Sequence, residues 1–260
     1  MFTSGLVSVS FRNLDCDRII AATVENGIAG IEWGGDIHVP HGNLAQAAVV
    51  REKCAAANIA VSAYGSYYHA GESEQNGLKF ADVLATAAEL GAPLIRVWAG
   101  SKGSAQATLN ERRAIAADLH RIAEMAWRSG IAVATEYHSG TLTDNNDSAY
   151  QLLFKEAVHP ALLTFWQPPS GMPAEYCLAG LTQLLPKLAS VHVFYWDFST
   201  GQRLALPLAD GEAVWSRYLE LADHSPGLHC ATLEFFKDDS LEQYRIDADT
   251  LKTWLSRLPR

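Results

Sequence analysis

A carboxylate and an imidazole stand two positions apart in the run Ile131 to Asp144, IAVATEYHSGTLTD, where Glu136 and His138 follow a stretch of small or β-branched residues. Such a pair can move protons or hold a cation. The apolar run in front of them is bounded by Gly130 on one side and Ser139-Gly140 on the other, and it reads as a buried parallel strand. Residues two apart on a strand face the same way, so Glu136 and His138 should both project from its C-terminal end. That end is where parallel α/β proteins keep their chemistry. A glutamate there is as often one half of a structural ion pair, so the functional reading depends on whether other strands end alike.

They do. Glu32 follows the second strand candidate, Arg96 lies within the fourth and Trp98 closes it, Gln167 follows the sixth, His192 lies in the seventh and Glu234 in the eighth. Glu136, His192 and Glu234 are oxygen and nitrogen donors of the kind that hold a divalent cation, and Gln167 can add a neutral carbonyl oxygen. Structural zinc prefers closed Cys and His tetrahedra, so this set suits manganese, magnesium, cobalt or an open zinc site. His138 reads as an orienter or substrate contact. Glu32 reads as a ligand for substrate hydroxyls or as the partner of Arg96. Aromatic residues, Trp98 and Trp166 among them, crowd the same ends and, with His69 beyond the third strand, suit the C–H face of a sugar. Arg12, Lys102, Arg203 and Lys237 lie in or near the same loops, either as phosphate contacts or as solvated cations.

The elements that must position these residues recur. Gly27, Asn58, Gly91 and Gly130 each stop a helical pattern just before an apolar run, at steps of 31, 33 and 39 residues (27 to 58, 58 to 91, 91 to 130). Strands are predicted at Gly5–Ser10, Gly30–Trp33, Ala60–Tyr64, Leu94–Trp98, Ile131–Glu136, Leu162–Trp166, Ser190–Phe194 and Ala231–Phe235. Between them run amphipathic helices. Ile115, Leu119, Ile122 and Ala126 share one face, and Thr108 with Glu111 and Ser240 with Gln243 fit capping boxes. Eight strands alternating with helices, without a glycine-rich phosphate loop after the first, predict a single α/β domain over 1–260 closed as a (β/α)8 TIM barrel. The long connections Trp33–Asn43 and Tyr195–Asp210 should overhang the active end.

Composition narrows the partners. A formal charge of −9 without a Lys/Arg run argues against nucleic acid, and no apolar run approaches the length of a membrane span. Cys16, Cys54, Cys177 and Cys230 are scattered and read as reduced thiols; with no secretion leader expected, the predicted location is cytoplasmic. A homo-oligomer is allowed and not specified.

On Glu32 in GIEWGGD, Glu136 and His138 in TEYHSGTLTD, His192 in SVHVFYWD and Glu234 in TLEFF, the chain resembles the xylose isomerase-like TIM-barrel superfamily. These sugar isomerases and epimerases include tagatose epimerase and inosose dehydratase, with endonuclease IV (AP endonuclease family 2-like) a distant relative. The resemblance implies a divalent metal held by Glu136, His192 and Glu234, with the two glutamates moving protons. At strand six, where the family usually has an acid, this chain has Gln167, and no lysine follows His192. The implied activity is isomerisation or epimerisation of a small sugar or sugar phosphate through an enediolate. Glu32, His69, Trp98, His138, Trp166, Arg203 and Lys237 are the expected substrate contacts. A dehydratase of inosose type and a non-catalytic metal- or sugar-binding barrel are the alternatives.

Overall fold

The structure is a computed structural model that describes residues 2–198, 201–227 and 229–259. Eight parallel strands form its centre: β1 (Phe2–Val7), β2 (Gly30–Gly34), β3 (Ala60–His69), β4 (Leu94–Trp98), β5 (Ala132–Glu136), β6 (Leu162–Trp166), β7 (Leu188–Val193) and β8 (His229–Leu233). Each pairs with its sequence neighbours, and β8 pairs with β1 to close the barrel. The helices that return the chain are α1 (Cys16–Glu25), α2 (Leu44–Ala56), α3 (Phe80–Leu90), α4 (Leu109–Trp127), α5 (Asn146–Gln151), α6 (Ala174–Leu184), α7 (Glu212–Ala222) and α8 (Leu241–Ser256).

The local signals explain most of these boundaries. Asn58 and Gly91, which precede β3 and β4, take the left-handed conformation at φ 55° and 76°, so the chain leaves each helix and turns into the next strand. Thr108 and Glu111 cap α4 reciprocally. At α8 the box is one-sided: Ser240 accepts from the Gln243 amide, but the Gln243 side chain donates to Asp247 instead, at 2.8 Å. β1 ends earlier than its sequence suggests because Ser8–Phe11 wind into a 3-10 turn. In that turn the Ser8 and Ser10 hydroxyls accept from the backbones of Gly34 and Phe235, at 2.9 and 3.0 Å. β8 stops at Leu233, two residues before Phe235 adopts φ 51°.

The main core lies between the strands and the helix ring. Inside the barrel a smaller cluster of Ala63, Leu94, Ala134 and Phe165 fills the middle and leaves the C-terminal end to polar side chains. The connection after β2 folds back onto the rim, where the Tyr64 hydroxyl donates to the Val39 carbonyl at 2.7 Å. The connection after β7 forms a short antiparallel ladder, Trp196–Asp197 with Leu204–Ala205; residues 199 and 200 of that predicted overhang lie outside the described residues. The four cysteines are unpaired thiols. Among the described residues no helix is long and apolar enough to cross a membrane.

Candidate metal and substrate site

Strand alternation assembles the site. Leu94, Arg96 and Trp98 on β4, Ala134 and Glu136 on β5, Phe165 and Gln167 on β6, and Glu234 beyond β8 alternate towards the barrel interior. At the centre the Arg96 guanidinium bridges two carboxylates: Nε donates to Glu32 Oε1 at 2.6 Å and Nη1 donates to Glu136 Oε2. The other oxygen of Glu32 stands 2.9 Å from Nε2 of His192. Gln167 Nε2 donates to Glu136 Oε1 and to the Tyr137 carbonyl, both at 3.1 Å. All five of these side chains, and that of Glu234, are buried. Gly65 makes room for them, since a Cβ there would meet Arg96 Nη2 at 2.8 Å and Glu32 Oε1 at 2.9 Å.

Within this charged cluster, Nδ1 of His192 and Oε1 of Gln167 are buried without hydrogen-bond partners. Nδ1 of His192 lies 3.5 Å from Glu136 Oε1 and 3.6 Å from Glu234 Oε2, and the three groups offer donor atoms within 4.8 Å of one another. Atoms bound at ~2.1 Å to one ion stand about 3.0–3.4 Å apart, so a small closure would let the three share a cation. The donor set fits a divalent ion, and Glu32 on the far nitrogen of His192 would orient that imidazole towards it.

Without a cation, the charges settle among themselves. Burial disfavours the imidazolium of His192, yet Glu234, Glu32 and Glu136 around it outweigh burial and raise it to about 10. Burial also opposes ionisation of Glu136, but Arg96 and His192 hold it well below the ordinary carboxylate range. Glu234 touches no guanidinium, and burial together with the neighbouring carboxylates pushes it up to about 7. A proton on Nδ1 of His192 thus stands where a cation would.

Above this floor opens a cleft of about 360 Å³ walled by Tyr67, Trp98, Trp196, Phe198 and Phe235, with His138, Ser139, Ser170 and Arg203 also lining it. Tyr67 and Phe235 hold φ of 54° and 51°, a conformation that costs a bulky residue on the order of 1–3 kcal/mol and tends to collect at functional sites. His138 packs edge-on against Trp98 with ring centroids 4.5 Å apart. Its Nδ1 lies 2.6 Å from the Ser139 carbonyl, which can only accept, so Nδ1 carries the hydrogen and Nε2 is left as an acceptor.

Of the expected substrate contacts, Trp98, His138 and Arg203 line the cleft and four do not. Glu32 lies beneath it with both oxygens taken by Arg96 and His192. Trp166, one position off the inward parity, turns to the helix side against Trp215 and Tyr218, with centroids 6.5 and 5.2 Å away. His69 stacks on Trp98 at 5.7 Å and binds the Gly100 carbonyl, so it supports the wall. Lys237 is exposed on a 3-10 turn. Arg12 pairs with Asp36 at 2.7 Å and Lys102 with Glu111. The connection after β2 contributes no cleft residue, whereas the one after β7 supplies Trp196, Phe198 and Arg203. From the sequence Arg96 was read only as a possible partner of Glu32; the structure makes it the cation shared by Glu32 and Glu136, and its place inside a strand was the available signal.

Gln167 gives a direct test of the donor set. Its amide nitrogen is fixed by the Tyr137 carbonyl, which leaves Oε1 as a free neutral donor. Gln167→Asp should strengthen manganese binding about tenfold, taking ~1.5 kcal/mol for one charge-assisted contact, and Gln167→Ala should weaken it. Equal affinities in calorimetric titration of the three proteins would remove Gln167 from contact with the ion.

No curated protein matches the chain by sequence. Among solved structures, the probable 3-DHS dehydratase AsbF of Bacillus anthracis superposes with a TM-score of 0.81 at 22% identity, over 96% of this chain and 99% of that one. A xylose isomerase-like TIM barrel protein from Mycobacterium smegmatis in complex with magnesium gives 0.73 at 17% identity, over 98% and 97% of the two chains. The D-allulose 3-epimerase of a Methylomonas species gives 0.70 at 14% identity, over 99% and 98%. A family model described as xylose isomerase-like TIM barrel matches residues 20–253, and with the closed parallel barrel this identifies the chain as a member of the xylose isomerase-like TIM-barrel family.

Proposed function

We propose that the protein is a divalent-metal-dependent isomerase or epimerase that moves a proton on the carbon next to a carbonyl of a small polyhydroxy ketone. The observation that carries this reading is the partnerless Nδ1 of His192, buried between Glu136 and Glu234 at the floor of an aromatic-walled cleft. A cation held by Glu136, His192 and Glu234, with Gln167 Oε1 beside them, would stabilise the negative charge that develops on the carbonyl oxygen as the proton leaves. Glu234 is the carboxylate suited to take up and return that proton, because no guanidinium holds it ionised. Glu136 acts as the second proton carrier once one of its oxygens is released by Arg96 or Gln167. The aromatic walls exclude water and face the C–H side of the substrate.

A dehydratase is the second reading, favoured by the engagement of both Glu136 oxygens. That engagement leaves Glu234 and Nε2 of His138 as the free proton-handling groups of the cleft. One would remove the proton next to the carbonyl and the other would protonate the departing hydroxyl, so that water and an unsaturated ketone leave together. Relatives of both kinds are known by name, a probable dehydratase and sugar epimerases.

Incubating the manganese-loaded protein in heavy water with a panel of ketopentoses, ketohexoses, their phosphates and their acids separates the two. Deuterium in a recovered ketose supports the isomerase or epimerase. Ultraviolet absorbance of an unsaturated ketone with loss of one water by mass supports the dehydratase. A panel that shows neither, with manganese bound, would sink both and leave a binding module.

A further inference from the structure

We propose that Arg203 is an anion-recognition residue of the cleft and that the substrate is a polyhydroxy carboxylic acid bearing one negative charge; this rests on the metal-dependent reading above and names its substrate class. Arg203 stands beside the short ladder after β7, with its guanidinium 4.5 Å from the ring centre of Trp196 and 5.0 Å from that of Phe235. Cation–π contacts of this kind hold the charge against the aromatic wall without using the N–H donors, whose fork geometry matches a carboxylate. Among the described residues no carboxylate lies within ion-pairing distance of it. By contrast, Arg12 and Arg96 are paired with Asp36 and with Glu32 and Glu136.

The charges of the floor point the same way. With a divalent ion bound, its carboxylate ligands are ionised and its imidazole ligand is neutral. Glu32, Glu136 and Glu234 then bring three negative charges, and Arg96 and the ion bring three positive ones. The floor is neutral because residue 167 is glutamine; an acid there would have made it negative. Among the described residues that line the cleft, Arg203 is then the cation without an ion pair, which a carboxylate balances and a phosphate, at about −1.5 to −2, exceeds. The hydroxyls of Ser139 and Ser170 along the same cleft suit a polyhydroxy skeleton between the floor and Arg203.

The test is calorimetric titration of gluconate, its neutral counterpart glucitol and glucitol 6-phosphate into wild type, Arg203→Met and Arg203→Lys, each with and without manganese, with quinate and inositol as a cyclic pair. Wild type should bind each acid at least tenfold tighter than its neutral counterpart and tighter than the phosphate. Arg203→Met should bring acid and neutral ligands within about twofold while leaving the neutral ones unchanged, and Arg203→Lys should retain part of the preference. No acid preference in wild type, or a preference that survives in Arg203→Met, overturns the proposal. A phosphate bound tighter than the acids overturns the carboxylate assignment. Failure of the protein to bind manganese would instead defeat the metal-dependent reading, and the metal-free titrations would still decide whether the acid preference follows Arg203.

Discussion

Replacing Arg96 with methionine is expected to cost about 3–5 kcal/mol of folding stability at pH 8, because it leaves two buried carboxylates without their shared cation. That is a large part of the ~5–15 kcal/mol that holds a typical domain together. The Arg96 side chain is 3% exposed, those of Glu32 and Glu136 are 1% and 4% exposed, and the guanidinium contacts both directly. Burial alone would push both acids up, and it is chiefly the Arg96 charge, helped by His192, that brings them below the ordinary range. The sign of the pH dependence follows. In wild type the contribution of these carboxylates is present above their unfolded pKa of ~4.3 and is lost as pH falls through the lower folded values. In Arg96→Met burial is no longer opposed by that charge, so the acids titrate upward and falling pH relieves the variant. Urea denaturation should therefore show a deficit that narrows from pH 8 to pH 5, with Arg96→Lys intermediate for want of the planar fork. A deficit below ~1 kcal/mol, or one that is equal at both pH values, would refute the buried bridge.

Manganese affinity is expected to climb about tenfold per pH unit between pH 7.5 and 9.5, a hundredfold in all, because an entering ion must displace the proton of His192. Free of metal, that imidazole is raised to about 10, so the stability it lends the metal-free fold is fully present below the unfolded value near 6.5 and fades as pH rises through about 10. The cation sees the reverse, since less proton competes for Nδ1 as pH rises. Below about 7 Glu234 is protonated as well, and the dependence should steepen. Calorimetry in two buffers of different ionisation heat would count the protons released directly. An affinity that is flat across this range, or no proton release, would mean that the ion does not use His192.

Periodicity made the barrel legible before any coordinate. The helix-stop residues and the apolar runs that follow them are local features, and Leu94–Trp98 and Leu162–Trp166 are strands to the residue. Glu136, His192 and Glu234 were readable as one cluster because each ends a strand on the same side of the sheet, and parallel strands closed into a barrel bring their ends together. Local propensity does not tell which neighbour a side chain will choose. Trp166 and Gln167 are adjacent in sequence, yet one packs among helices and the other reaches Glu136, a division set by the parity of β6 once the barrel closes. Glu32 could have faced substrate or Arg96 on sequence grounds. Its burial beneath Arg96 and His192 depends on three strands that are far apart in the chain meeting across the barrel, with Gly65 leaving the space. The repeat, the fold and the set of donor types follow from spacing and residue chemistry, and so were legible in the chain alone. Folding in three dimensions set the pairing within that set: a central guanidinium that ties Glu136, a Glu234 it does not touch, and an Arg203 that, among the described residues, has no carboxylate within ion-pairing distance. Those outcomes depend on distances of a few ångströms between distant segments, where electrostatic energy is settled and where sequence spacing carries no information.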